Sequence, residues 1–216
     1  MRFTTTTSID PGHRADGDLY VMFHGYGNDE SEMIRILGAI DPDADYKSFR
    51  GPIHRQYLGG NAWYDDTCAD SLIQERCSAL GDDIVDMLDS TLLHSKRIIP
   101  VGFSQGGYLA YRLLAEHPDI FDTAVLMSPA FHDTAVSEEG NESPIEDSLV
   151  AEVVTDTKPR VFLGYGELDA RIPAAQQQGI AGSLARFADL DAHTYPGMRH
   201  EVCPQELDDI KRFLGL

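Results

Sequence analysis

The sequence predicts an α/β fold: a mostly parallel central sheet flanked by helices. Three observations carry that prediction. Apolar runs of strand length alternate with amphipathic stretches of helix length throughout the chain, the pattern of successive βα units. The 216 residues, 42% hydrophobic and 25% charged, suit a globular protein with one substantial core. No internal repeat and no linker divides them, so residues 1–216 are read as a single domain.

The elements follow in order. LYVMF (19–23) reads as a buried strand, HGYGND (24–29) as a turn, and ESEMIRILGAI (30–40) as a short helix. DYKSFRGPI (45–53) is expected to hold a further strand. From Cys68 to about Leu93 a long helix is expected, because Leu72, Cys77, Leu80, Ile84, Leu88 and Leu92 recur near helical spacing. A strand over 97–103 and a helix over 105–116 come next, with Pro118 closing the helix. TAVLMS (123–128) reads as a strand, and the Ser-, Glu-, Asp- and Asn-rich stretch from Phe131 to Lys158 as a loop. Beyond it come a strand RVFLGY, a turn GELDARIP, a helix from about Pro173 to Phe187, a strand near 191–195, the turn PGMRH and a final helix PQELDDIKRFL. One local conflict stands out. Pro100 lies inside an expected central strand, where proline removes a ladder donor.

Charge and cysteines narrow the function classes. With 17 basic and 36 acidic residues the formal charge is −19, which repels nucleic acid and anionic membrane surfaces. Cys68, Cys77 and Cys203 form neither a CxxC pair nor a histidine-linked cluster, so neither disulfides nor a metal site is expected. The first residues contain no apolar core of a secretory signal, and no run approaches the roughly 18 apolar residues of a membrane span. A cytoplasmic protein without stable membrane association is expected.

Chemistry is suggested by Gly102-Phe103-Ser104-Gln105-Gly106. The G-x-S-x-G pattern is weak alone and gains weight from the strand before it and the helix after it. Together they would hold the serine on a strained turn at a helix N-terminus. A serine hydroxyl needs a base, and a histidine base needs an orienting carboxylate. On such a turn the chain order is serine, acid, histidine.

That order permits elimination. His13, His24, His54 and His94 precede Ser104. His117 ends the helix after the serine and leaves little chain for an acid. His132 precedes every later strand end, and His193 falls inside a strand. His200 remains, in a turn before the last helix, as the candidate base. For the acid, Glu167 and Asp169 compete in GELDARIP, and Asp169 lies deeper in the turn. The backbone amides of Tyr26 and Gln105 are the candidate oxyanion donors, one on the loop after the first buried strand and one after the serine. His24 is read as a brace of that loop. Trp63, the single tryptophan, is either a core anchor or a wall of an acyl site.

HGYGND, NAWYDD, GFSQGGYLA, GELDARIP and GMRHEVCPQELDDIKRFL, in this order, resemble the phospholipase/carboxylesterase family of the α/β-hydrolase superfamily, which includes the acyl-protein thioesterases. The resemblance covers nearly the whole chain. It implies an α/β-hydrolase fold without a large cap domain, an open acyl groove, no cofactor, and hydrolysis of carboxylic esters, thioesters or lysophospholipids. It makes Ser104 the nucleophile, Asp169 the acid and His200 the base, with Tyr26 and Gln105 in the oxyanion hole. The chain departs from the family at Tyr26, where many relatives carry leucine, and the tyrosine would narrow or polarise the mouth of the acyl site. The acidic segment Ser137–Asp147 would overhang the site and repel anionic head groups, favouring a small-molecule neutral ester. An exposed acyl groove could be covered in a homodimer. The rival reading is a non-catalytic protein of the same fold that binds a hydrophobic ligand.

Overall fold

A computed structural model describes residues 3–9, 17–57, 59–88, 96–132 and 158–216. The predicted sheet is present. Seven strands lie side by side: β1 (Thr5–Ser8), β3 (Asp45–Phe49), β2 (Leu19–Phe23), β6 (Ile98–Phe103), β7 (Thr123–Met127), β8 (Arg160–Gly166) and β9 (Asp189–Tyr195). All neighbours are parallel except β1, which pairs antiparallel with β3 at the edge. β1 has no apolar run and is mostly exposed, so periodicity did not announce it. A second, two-stranded sheet, β4 (Ile53–His54) with β5 (Asn61–Ala62), was likewise not foreseen.

Among the described residues five helices cover the sheet: α1 (Glu30–Ile40), α2 (Asp70–Met87), α3 (Gln105–Glu116), α4 (Ala174–Phe187) and α5 (Pro204–Leu214). Side chains alternate across each strand, and this sorts the core into two layers. Leu19, Val21 and Phe23 of β2 pack with residues of α2, α3 and α4. Tyr20 and Met22 point the other way and pack with Met33 and Leu37 of α1 and Ile210 and Phe213 of α5. Strands sandwiched in this way are buried on both faces, which is why β2 and β7 read as unbroken apolar runs.

Three expectations are adjusted. The helix expected from Cys68 to about Leu93 runs from Asp70 to Met87; Leu72 is exposed, Ile73 takes the buried position beside it, and Leu92 lies outside the described residues. Pro173 sits just before α4 as its cap rather than inside it. Pro100 is in β6 after all. It pairs opposite Val21 of β2, while the ladder to β7 begins only at Val101, so the residue without a donor stands where one neighbour alone is paired.

Candidate active site

The site is built where β6 ends. Ser104 follows Phe103 directly and precedes α3, with φ 54° and ψ −116°. This backbone conformation costs a non-glycine residue about 1–3 kcal/mol, and it persists only where the surroundings impose it. The packing does impose it. A Cβ on Gly106 would stand 2.1 Å from the Phe23 carbonyl oxygen, so only glycine lets α3 sit this close to β2. The Ser104 N–H donates to the Met127 carbonyl at 2.9 Å, and α3 is buried from Gln105 to Leu114.

Two later turns deliver the partners. His200, after β9, places Nε2 2.8 Å from Ser104 Oγ and Nδ1 2.7 Å from Asp169 Oδ2. Asp169, in the turn after β8, accepts at Oδ1 from the Arg171 and Ile172 N–H groups at 2.8 and 3.0 Å. An ionised carboxylate only accepts, so the imidazole proton belongs on Nδ1, and Nε2 is left to accept from the serine hydroxyl. The Phe103 ring lies against the imidazole, 5.1 Å between centroids. Glu167, the competing acid, is exposed and accepts from the Gly197 N–H at 3.1 Å. Ninety-six positions of sequence separate the serine from the histidine that touches it.

The glycine loop after β2 lies against the end of β6, where a Cβ on Gly25 would stand 2.7 Å from the Phe103 ring. Among the hydrogen bonds of the described residues, neither the Tyr26 nor the Gln105 N–H has an acceptor. The groups around them are held by hydrogen bonds of their own. Gly27 N–H donates to the Asn61 carbonyl and Asn61 N–H to the Asn28 carbonyl, both at 2.8 Å, which ties the loop to β5. The Gln105 side chain accepts from the Trp63 N–H at 3.1 Å and donates to Tyr64 O at 3.2 Å and Asp66 Oδ1 at 2.5 Å.

His24 is a brace, as expected. Its Nδ1 donates to Gly25 O at 2.7 Å and its Nε2 accepts from the Gly51 N–H at 2.9 Å, and burial lowers its pKa and keeps the ring neutral. Trp63 resolves to one of its two readings. It is 0% exposed, packs on Phe23 and His24, and donates to His24 O at 2.8 Å, so it anchors the core and offers no surface to a substrate. Tyr26, within the loop, is 40% exposed.

Sequence reasoning missed two contacts. The Glu32 carboxylate accepts from the Gly25 N–H at 2.7 Å and from Asn28 Nδ2 at 2.5 Å. The Arg55 guanidinium stacks over the Tyr26 ring at 4.2 Å, and a Cβ on Gly27 would collide with it. The spacing Asp29-x-x-Glu32 was a usable signal for the first; the second depends on the unforeseen β4–β5 sheet. The acidic segment expected to overhang the site lies outside the described residues.

A family model described as phospholipase/carboxylesterase matches residues 5–216. The chain belongs to the phospholipase/carboxylesterase family. The match encloses Ser104, Asp169, His200, Tyr26 and Gln105. Among curated relatives in this family's neighbourhood, acyl-protein thioesterase 1 of Mycosarcoma maydis is 28% identical over 149 residues, 66% of this chain and 57% of that protein. The putative hydrolase MhqD of Bacillus subtilis (strain 168) is 26% identical over 117 residues, 52% of this chain and 57% of that protein. The chain thus aligns with little more than half the length of either. Among solved structures, esterase PE8 superposes with a TM-score of 0.76 at 19% identity, covering 100% of this chain and 99% of that one. At that identity the likeness speaks for the fold alone, an α/β-hydrolase sheet with no large cap evident among the described residues.

Proposed function

We propose that this phospholipase/carboxylesterase family member is a serine hydrolase that cleaves carboxylic esters or thioesters of small to medium acyl chains through an acyl-enzyme. The observation that carries the reading is the unbroken hydrogen-bonded chain from Ser104 Oγ through His200 to Asp169, on a strained strand-to-helix turn. His200 Nε2 takes the hydroxyl proton as Ser104 Oγ attacks the acyl carbon. The resulting oxyanion is received by the Tyr26 and Gln105 N–H groups, which are unpaired and need no reorganisation to donate. His200 then protonates the leaving alcohol or thiol, and the C–O or C–S bond breaks. Water repeats the sequence, releasing the acid and returning the proton to Ser104. Asp169 holds the imidazole tautomer throughout.

Among the described residues no helix is long and apolar enough to cross a membrane. A small-molecule substrate, a cytoplasmic location and one domain over the whole chain are part of the same proposal. The thioester arm draws on the fungal relative's name, acyl-protein thioesterase 1.

The test is hydrolysis of p-nitrophenyl esters from acetate to palmitate, and of matched thioesters, by wild type and Ser104→Ala between pH 6 and 9. Activity that disappears in the variant is expected, and its chain-length optimum sizes the groove. A folded protein inactive on all of them, or a fully active Ser104→Ala, would overturn the reading.

A further inference from the structure

Asp29 caps α1, accepting from the Ser31 N–H at 3.0 Å. Glu32 stands three residues on, the spacing at which a glutamate ordinarily turns back to accept from the N–H of the capping residue. Here it does not. The Asp29 N–H donates instead to Asn28 Oδ1 at 3.1 Å. Thus released, the Glu32 carboxylate reaches past the cap, taking the Gly25 N–H on one oxygen and Asn28 Nδ2 on the other. Gly25 and Asn28 are also joined directly, Asn28 N–H to Gly25 O at 3.2 Å. The two shoulders of the turn are therefore fixed to one carboxylate, and between them lies Tyr26 with its unpaired N–H.

We propose that Glu32 is a positioning residue of the esterase: by holding Gly25 and Asn28 it aims the Tyr26 N–H at the developing oxyanion. This rests on the function proposed above. Both clamping bonds are to an ionised acceptor, which makes them shorter and stronger than neutral ones. A donor displaced from a fixed target loses its worth steeply, so a change at Glu32 acts on the transition state more than on ground-state binding. The arrangement also responds to protons. Burial raises the Glu32 pKa and the Asp29 charge adds to it, while the Gly25 and Asn28 hydrogen bonds and the Arg35 charge oppose. Gly25 is also met by the uncharged Phe103 ring and, at its carbonyl, by the His24 Nδ1–H at 2.7 Å, whose ring burial keeps neutral. Protonating Glu32 removes an acceptor site and loosens the turn.

Glu32→Gln tests this, because the amide offers one acceptor where the turn needs two. Expected are a fall in kcat of about 10- to 100-fold, smaller than the roughly 10²–10³ loss for deleting a donor outright, and a KM within about twofold. Phosphonylation of Ser104 by a p-nitrophenyl phosphonate, which also charges the oxyanion hole, should slow in parallel. On the acid side the wild-type rate should fall more steeply than that of the variant, which has no carboxylate at position 32 left to protonate. Wild-type kcat in Glu32→Gln, a rise in KM alone, or the same steepness on the acid side in both proteins would overturn the inference. Should Glu32→Gln fold poorly, Asn28→Ala keeps the carboxylate but frees it to return to the Asp29 N–H. The same loss of kcat is then expected, and an unchanged kcat is contradictory. Ser104→Ala, assayed alongside, separates the two claims. If it is inactive while Glu32→Gln is normal, the hydrolase reading stands and the positioning role fails; if it remains active, the hydrolase reading itself fails.

Discussion

Asp169 and Glu206 are both carboxylates beside β8, and both are buried, at 5% and 0% exposure. They have opposite surroundings. Asp169 lies in the turn beyond the strand and accepts hydrogen bonds from the Arg171 and Ile172 N–H groups and from His200. Glu206 lies against the middle of the strand, where a Cβ on Gly164 would stand 2.2 Å from its Oε1, and neither oxygen accepts a bond of normal geometry. Burial pushes its carboxyl up to about 8, offset in part by the nearby Cys203 N–H. Burial therefore does not decide whether a carboxyl group carries charge; the donors around it do. One carboxylate is equipped to stabilise an imidazolium, and the other is a neutral packing group at neutral pH.

The largest effect expected from breaking this contrast is on Asp169. Asp169→Asn removes the acceptor that fixes the His200 tautomer, and kcat should fall by about 10⁴, as when the same change is made in other Ser-His-Asp enzymes. Thermal unfolding at matched pH should move far less than the rate. A loss below tenfold would mean that His200 is oriented by something else.

Gly164→Ala comes next. The new methyl enters the space of the Glu206 carboxylate, and overpacking of this kind costs about 1–3 kcal/mol. Chemical denaturation should show it, with activity per folded molecule retained. A neutral result would mean that α5 can move away from β8.

Glu206→Gln sharpens the contrast through pH. Between an unfolded-state value of about 4.3 and the folded value of about 8, the native protein holds a proton that the unfolded chain has released. This contribution is complete below the lower value and is lost as pH rises through the upper one. Wild-type stability should accordingly decline from pH 5 to 9, and Glu206→Gln should lessen the decline, gaining on wild type at pH 9 but not at pH 5. Parallel curves would show that Glu206 ionises freely. The smallest effect belongs to Glu167, which shares the Asp169 turn but is exposed and accepts from the Gly197 N–H. Glu167→Gln should leave kcat within about twofold, the usual range for a surface group.

What sequence could reveal follows from the range of each interaction. The apolar runs of β2, β6, β7 and β8 and the helices α1, α3 and α5 were legible because burial on a periodic element leaves its mark within a few residues. Ser104, Asp169 and His200 were legible as an ordered set because chain order on this fold limits which histidine can return to the serine. The bracing was not. Gln105 against Trp63, Tyr64 and Asp66, and Arg55 over Tyr26, join segments that only the folded sheet brings together. Trp63 could not be assigned for the same reason: its indole N–H finds its acceptor in His24, 39 positions away. Glu32 shows a subtler limit. Its spacing from Asp29 is that of a capping pair, but the Asp29 N–H donates to Asn28 Oδ1 and the carboxylate turns elsewhere.

The most direct test of the account is covalent labelling. One equivalent of a fluorophosphonate should abolish ester hydrolysis, and peptide mass analysis should place the adduct on Ser104 of the wild type, with none on Ser104→Ala. Labelling at another residue, or hydrolysis that persists after Ser104 is fully modified, would contradict the central claim that this serine is the nucleophile.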